Sequence, residues 1–506
     1  MKLYNTLSRK IEEFIPTAEG KVGVYACGPT VYDFVQIGNW RTYILSDLLV
    51  RTLKYLGYDV DYVMNITDVG HLTGDNEGDA DTGEDRLEKG ARREGKTAQE
   101  IAKFYAEDFK KSFKSLNMLS PNMETKSGDG FTWATDYIDE QIKMVEKIEK
   151  KGFAYPISDG IYFDTQAYEA AGNTYGELSN LDQIKAGARV AENPEKKDPR
   201  DFALWKFSPK GEKRHMEWES PWETGFPGWH IECSAMSCDL LGNRIDIHVG
   251  GEDLRSTHHP NEIAQAEAAT GKKPFVKYWV HGAFLKVDGG RMGKSLGNAY
   301  TLHDLEKRGF SPLDLRYFFL IGHYRKPLNF TWEALEAAKK GREKLMSQIA
   351  SLKEEIGDKK ILSFRELMSD NDTSGVSYGL QFGYNSEYEL GYGNSDEEDR
   401  VVEEDLGISR GLAIVWDLLA DKKVPALRKL SWILNFDQVL GLGLEEEAKK
   451  EKEKLVVPEE ITKLLIKRKE ARVNKDWQKS DELRTQVEKL GFKIEDGGEE
   501  QKVSKS

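Results

Sequence analysis

His258 and Glu262 stand four residues apart in His258-His259-Pro260-Asn261-Glu262-Ile263-Ala264-Gln265, a segment whose pattern predicts the opening turns of a helix. At that spacing both side chains project from one face. An imidazole and a carboxylate so placed make half of a metal site, and cysteine thiolate would complete it, because soft sulfur with imidazole is the usual environment of zinc. By pattern alone the pair reads equally as a surface ion pair. The chain holds three cysteines, Cys27, Cys233 and Cys238, an odd and sparse set that does not describe a disulfide framework. Cys27 ends a predicted strand, and Cys233 lies in Trp229-His230-Ile231-Glu232-Cys233-Ser234. Each reads either as a ligand or as a small buried hydrophobe, and Cys238 reads as core.

Two further stretches have the make-up to handle phosphate. Gly289-Gly290-Arg291-Met292-Gly293-Lys294-Ser295 follows an apolar run and is too rich in glycine to be rigid. A mobile loop carrying Arg291 and Lys294 can close over a polyphosphate and neutralise charge developing at a leaving group, although an ordinary basic hairpin turn has the same composition. Gln36-Ile37-Gly38-Asn39 sits at the entry to a predicted helix. Backbone N–H groups and the helix dipole favour phosphate there, and Gly38 would let a nucleotide approach closely; capping by Asn39 accounts for the same residues.

The elements that must hold these groups follow from the hydrophobic pattern. At 506 residues the chain exceeds one compact core and predicts two to four domains. Val22 to Cys27 reads as a strand. Ile44, Leu45, Leu48, Leu49, Leu53 and Leu56 then fall at helical spacing up to Gly57, and Val60 to Ile66 resumes an extended run. This βαβ unit predicts a parallel sheet with a ligand crevice at the carboxyl ends of its strands, where Cys27 stands. Strand-like patterns return at Ile245 to Val249 and at Tyr278 to Val287. The fold class is therefore α/β, with residues 1–118 and 229–328 forming a Rossmann-type catalytic domain and 119–228 an inserted subdomain. Residues 329–450 read as a helical bundle in which 369–405, crowded with Gly, Tyr, Asn, Ser and acids, predicts a flexible surface insertion.

Residues 451–506 form a separate C-terminal segment. Pro458 suits a first helical turn, and Trp477, Leu483, Val487 and Leu490 give the next helix an apolar stripe closed by Gly491. Six basic residues and one acid, Glu470, lie from Lys463 to Lys475, which suits either a phosphate-contacting surface or a solvated helix face. Lys502 to Ser506 reads as a disordered tail. The formal net charge of −14 argues against simple coating of nucleic acid but leaves room for a local basic patch. No apolar run approaches the roughly 20 residues of a membrane span, and Met1 to Thr17 has no secretory apolar region, so a cytoplasmic address is expected.

Together these pieces resemble a known family. Cys27-Gly28-Pro29-Thr30-Val31-Tyr32-Asp33, Gly228 through Met236 and His258 through Gln265 resemble the cysteinyl-tRNA synthetases in order and spacing. Met292-Gly293-Lys294-Ser295-Leu296-Gly297-Asn298 resembles the signature loop of class I synthetases, and Ala471 through Trp477 with Ser480-Asp481 resembles the family's anticodon-binding segment. The resemblance implies a zinc site of Cys27, Cys233, His258 and Glu262, in which Zn2+ selects the substrate by taking its thiolate. It implies a cysteine pocket lined by Thr67, Trp229 and His248. ATP, with Mg2+, would be held by Gln36, Gly38, Asn39, Gly251, Asp253 and Lys294, with Arg291 adding charge beside Lys294. The implied partners are L-cysteine, ATP and tRNA(Cys), with no membrane; no long heptad seam is visible, and a monomer is the default expectation.

In the second class I signature histidine usually stands where this chain has Gln36 and Asn39. Amides still donate hydrogen bonds to phosphate but never carry charge. A neutral hydrogen bond contributes about 1 kcal/mol and a charge-assisted one roughly 1.5 to 3, so slower activation is expected rather than none. Two other readings share the catalytic domain: a ligase that transfers activated cysteine to a small-molecule amine, and a synthetase-like protein that binds without catalysis. Gln36→His is expected to raise the rate of cysteine-dependent ATP–pyrophosphate exchange; an unchanged or lower rate would remove the weakened-contact account.

Overall fold

The computed structural model describes residues 1–69, 85–179, 193–209, 211, 214–293, 296–369, 372–383, 400–454, 459–474, 476–497 and 500–505. β1 (Lys21–Ala26), α1 (Ile37–Tyr55) and β2 (Asp59–Ile66) form the expected βαβ unit. Gly57, at φ +90°, turns the chain out of α1 in a conformation that only glycine adopts freely. They are followed by α2 (Arg86–Glu94), α3 (Ala98–Ser115), β3 (Thr132–Trp133), α4 (Trp229–Leu241), β4 (Ile245–Gly251), α5 (His258–Thr270) and β5 (Val276–Gly282). The sheet runs β5-β4-β1-β2-β3 with every pair parallel. β4 is buried along its whole length, as a strand covered on both faces must be. Strand order reverses between β1 and β4, which opens a crevice at their carboxyl ends. Across that seam the Cys27 N–H donates to Val249 O at 3.1 Å.

Four features depart from the sequence reading. Tyr278 to Val287 is not one strand: β5 ends at Gly282, and Leu285–Val287 joins Gly290–Arg291 and Leu328–Phe330 in a separate three-stranded sheet. The break has a cause in Arg41, whose Nη1 donates to the carbonyls of Ala283 (2.8 Å) and Phe284 (2.7 Å) and draws the chain off its strand line. The stretch read as the insertion contributes β3 to the main sheet before it builds its own antiparallel sheet of Ala154–Ile157, Gly160–Phe163, Phe202–Phe207 and Gly225–Pro227. The apolar side of that sheet, with Phe163, Phe202 and Trp205, packs with Ile231 and Ala235 of α4.

The flexible insertion expected over 369–405 is ordered at both ends. Val376–Phe382 is helical, Phe382 stacks on Phe436 with centroids 4.2 Å apart, and Val401 and Val402 are buried. These anchors are too widely spaced in the sequence to register as a period; residues 384–399 of the expected insertion lie outside the described residues. The tail read as disordered is also corrected, because Glu500–Lys505 pairs antiparallel with Phe492–Gly497. Phe492 and Ile494 alternate inward onto Ile461 and Val487, which gives this hairpin a core. Among the described residues no helix is long and apolar enough to cross a membrane.

A buried charge network joins the sheet domain to the helices that follow it. Asp47 Oδ2 of α1 accepts from Arg51 Nε (2.9 Å) and from Arg316 Nη2 (2.6 Å) of the helix Pro312–Ile321, while Asp47 Oδ1 accepts from Leu119 N (2.7 Å). Arg316 also donates to the carbonyls of Leu440 (2.8 Å) and Leu116 (3.1 Å), and Arg51 to those of Gln438 (3.0 Å) and Asn117 (2.6 Å). Gly441 is obligatory beside them: its φ is +63° and a Cβ would stand 2.3 Å from Arg316 Nη2. Asp47→Asn removes the carboxylate that both buried guanidinium groups bond directly and leaves Asp437 as a nearby counter-charge. The expected cost is about 3 to 5 kcal/mol, read as a lower denaturant midpoint.

Candidate active site and metal-ligand cluster

The carboxyl ends of β1 and β2 are pressed together by Gly28. A Cβ there would lie 1.8 Å from Asn65 O, so only glycine fits, and the Gly28 N–H donates to Asn65 Oδ1 at 2.8 Å. Asn65 in turn donates through Nδ2 to Thr67 Oγ1 at 3.0 Å. This packing holds Cys27 at the seam between β1 and β4. α4 carries Cys233 to the same point, and the first turn and a half of α5 carries His258 and Glu262. One donor atom from each of Cys27, Cys233, His258 and Glu262 lies within 4.8 Å of the other three, and all four residues are buried.

The cluster is electrostatically self-consistent. Burial alone would raise the Glu262 carboxyl, but His248 Nε2 at 2.9 Å and His258 Nε2 at 2.9 Å draw it down to about 2. Burial likewise opposes charge on His258, yet Glu262 and Cys233 overcome it and hold the imidazole up to about 10. A hydrogen bond from Cys27 outweighs burial at Cys233 and pulls that thiol down to about 6, while burial keeps the Cys27 thiol well up. His230 Nδ1 lies 2.9 Å from His258 Nδ1, which turns the other ring nitrogen toward Glu262. Two sulfurs, an imidazole and a carboxylate that is ionised at neutral pH make a donor set suited to zinc.

A cleft of about 280 Å³ opens on this cluster. Thr67, Trp229, Gln36, Asn39, Gly251 and Asp253 line it, so the structure brings these sequence candidates together with Cys27, Cys233 and His258. The Trp229 ring centroid is 4.7 Å from that of His258. His248 stands behind the cleft rather than in its wall, fully buried, stacked at 4.6 Å on Trp279 and joined to the site through Glu262. Gly38 is also placed differently from expectation. A Cβ on it would meet Met292 Cε at 2.4 Å, so the space expected for a nucleotide is filled by the basic loop's own side chain. Ile37 N donates to Tyr300 O at 2.9 Å, which fastens the same helix start to the chain leaving that loop. Arg291 is exposed on the hairpin and does not line the cleft. Lys294 and Ser295 lie outside the described residues.

Sequence reasoning missed the histidines around the donors. His259 Nε2 lies 3.5 Å from Cys27 Sγ, and its Nδ1 lies 2.7 Å from His281 Nε2, whose own Nδ1 meets Thr6 Oγ1 at 2.9 Å. Cys27, His248, His259 and Glu262 thereby satisfy the same distance criterion as the first set. Burial holds the His259 and His281 rings far below their ordinary range, His281 down to about 3, so both are neutral. The adjacency of His259 to His258 was a signal, but neighbours on a helix point about 100° apart and only the sheet geometry shows both turned inward.

Solved structures with this architecture include Mycobacterium tuberculosis methionyl-tRNA synthetase in complex with methionyl-adenylate, at a TM-score of 0.53 and 16% identity over 87% of this chain and 94% of that one. The ternary complex of Agrobacterium radiobacter K84 agnB2 LeuRS-tRNA-LeuAMS is similar at a TM-score of 0.54 and 12% identity, over 87% of this chain and 86% of that one. Residues 13–340 match the family described as tRNA synthetases class I (C) catalytic domain, so the fold is that of a class I aminoacyl-tRNA synthetase. Residues 456–503 match the cysteinyl-tRNA ligase anticodon binding domain. The chain is 42% identical over 502 residues to a cysteine–tRNA ligase of Treponema denticola (98% of each chain). It is 43% identical over 506 residues to cysteine–tRNA ligase 1 of Burkholderia lata (99% of this chain, 96% of that one), and it belongs to the cysteine–tRNA ligase family.

Gly28→Ala forces a methyl into the Asn65 carbonyl and displaces Cys27 from the other donors. The expected cost is about 1 to 3 kcal/mol of stability, seen as a lower melting temperature.

Proposed function

We propose that this chain activates L-cysteine with ATP and transfers it to the 3′ end of tRNA(Cys), with one Zn2+ held by Cys27, Cys233, His258 and Glu262. The observation that carries the reading is the four-donor cluster at the inner end of the cleft, reached by a substrate that enters past Trp229 and Thr67. The cysteine carboxylate attacks the α-phosphorus of ATP, pyrophosphate leaves, and a terminal ribose hydroxyl of the tRNA then displaces AMP from the aminoacyl carbonyl. Bound zinc would supply a Lewis acid that favours the substrate thiolate, which serine cannot match because its hydroxyl is a poor ligand for a soft metal and stays protonated.

The remaining roles belong to the chain. Gln36 and Asn39 donate amide hydrogen bonds to the phosphates without charge. Gly251 and Asp253, at the end of β4, suit the ribose, and Lys294, with Mg2+, suits the leaving phosphates. The match of residues 456–503 to an anticodon-binding domain favours tRNA over a small-molecule amine as acceptor. Thiolate ligands need a reducing compartment, which fits a cytoplasmic enzyme, and a monomer is the simplest assembly for it.

Cysteine-dependent ATP–pyrophosphate exchange followed by charging of tRNA with labelled cysteine tests the reading. Loss of both would refute it, and exchange without charging would favour an amine acceptor. The purified protein is expected to hold one zinc per chain by elemental analysis, and Cys233→Ala to lose it; full occupancy in that variant would remove Cys233 from the ligand set.

A further inference from the structure

Among the described residues lining the cleft, Arg86 is the one side chain from Lys or Arg. Its Nη1 donates to Tyr32 Oη at 2.5 Å, and its Cζ stands 4.9 Å from the centre of the Tyr32 ring, so the phenol hydroxyl holds the guanidinium at a wall of the cleft. Tyr32 belongs to the segment Tyr32-Asp33-Phe34-Val35-Gln36 that leads into α1, which puts Arg86 on the same wall as the two amides.

Arg86 is the first residue of α2, where the helix dipole disfavours a cation. A local preference broken in this way marks a residue kept for another purpose. The surroundings make the placement firm. Asp85 caps α2 by accepting from Leu87 N (2.8 Å) and Glu88 N (3.2 Å), and it accepts from Arg214 Nη2 at 2.5 Å. Glu88 is tied to His215 through its backbone N–H (2.8 Å) and Nδ1 (2.6 Å), while Leu87 and Ala91 are buried in the main core. The start of α2 is thus pinned to the loop that carries Arg214 and His215, and Arg86 is aimed by a preorganised support.

Resting on the synthetase reading above, we propose that Arg86 is a further substrate-contacting residue, whose guanidinium binds a phosphate group in the cleft and supplies the fixed positive charge that Gln36 and Asn39 do not. A planar guanidinium already anchored to a phenol oxygen loses little freedom when it takes phosphate oxygens. The phosphate belongs either to ATP or to the terminal nucleotide of the tRNA, and the two kinetic arms separate them.

The experiment compares wild type, Arg86→Gln, Arg86→Lys and Tyr32→Phe in cysteine-dependent ATP–pyrophosphate exchange and in single-turnover transfer to tRNA, with zinc content and melting temperature as folding controls. Activity of the wild type tests the synthetase reading on its own, so failure of that reading is distinct from failure of this one. Arg86→Gln is expected to raise the KM for ATP or lower the exchange kcat by about tenfold or more, with the KM for cysteine unchanged, and Arg86→Lys to recover part of the loss. Normal exchange with transfer slowed to the same degree would assign the phosphate to the tRNA. Parallel changes in the KM for ATP and cysteine, no change in either arm, or a loss in Tyr32→Phe larger than that in Arg86→Gln would overturn the proposal, since Arg86 would then serve only to hold Tyr32.

Discussion

A carboxylate with no exposure to water is the constraint on which this site rests. Glu262 is ionised only because His248 and His258 flank it, each at 2.9 Å, and those two rings are themselves fixed by Trp279 and His230. The penalty for burying one charge is thus spread over α4, α5, β4 and β5, so four elements must converge before the cluster can exist. The order β5-β4-β1-β2-β3 achieves that convergence, since its reversal point opens a crevice for the donors at the carboxyl ends of β1 and β4.

A second buried charge system does for the framework what the first does for the site. Asp47, Arg51 and Arg316 bond to one another and to main-chain groups, and they tie together α1, the connection after α3, the middle of the helix Pro312–Ile321 and the end of the helix Ala426–Leu440. The first gathers the four donors, and this one fixes the body that carries the later helices.

The βαβ unit was legible because its signals are local: a hydrophobic period, a glycine stop and a second apolar run. The donors were legible as residue types and, through long motifs, as a set. Their meeting was not readable from spacing, since Cys27 and Cys233 are brought together by strand order and not by sequence distance. The split after Gly282 stayed hidden because Arg41, the residue that causes it, is far away in the chain. The anchors Phe382, Val401 and Val402 were obscured by the polar composition around them, and composition averages away the few side chains that fix a segment. Arg86 gave no motif; its role rests on a ring, a cap and a cleft wall that only the folded chain assembles.

The contact between Gly38 and Met292 carries a consequence for the basic loop. A Cβ at position 38 would stand 2.4 Å from the terminal methyl of Met292, the far end of a flexible side chain, so a larger residue there is admitted by swinging that thioether aside. A change at the start of α1 would thus be felt in the loop through one side chain, although most of the catalytic domain separates the two in sequence.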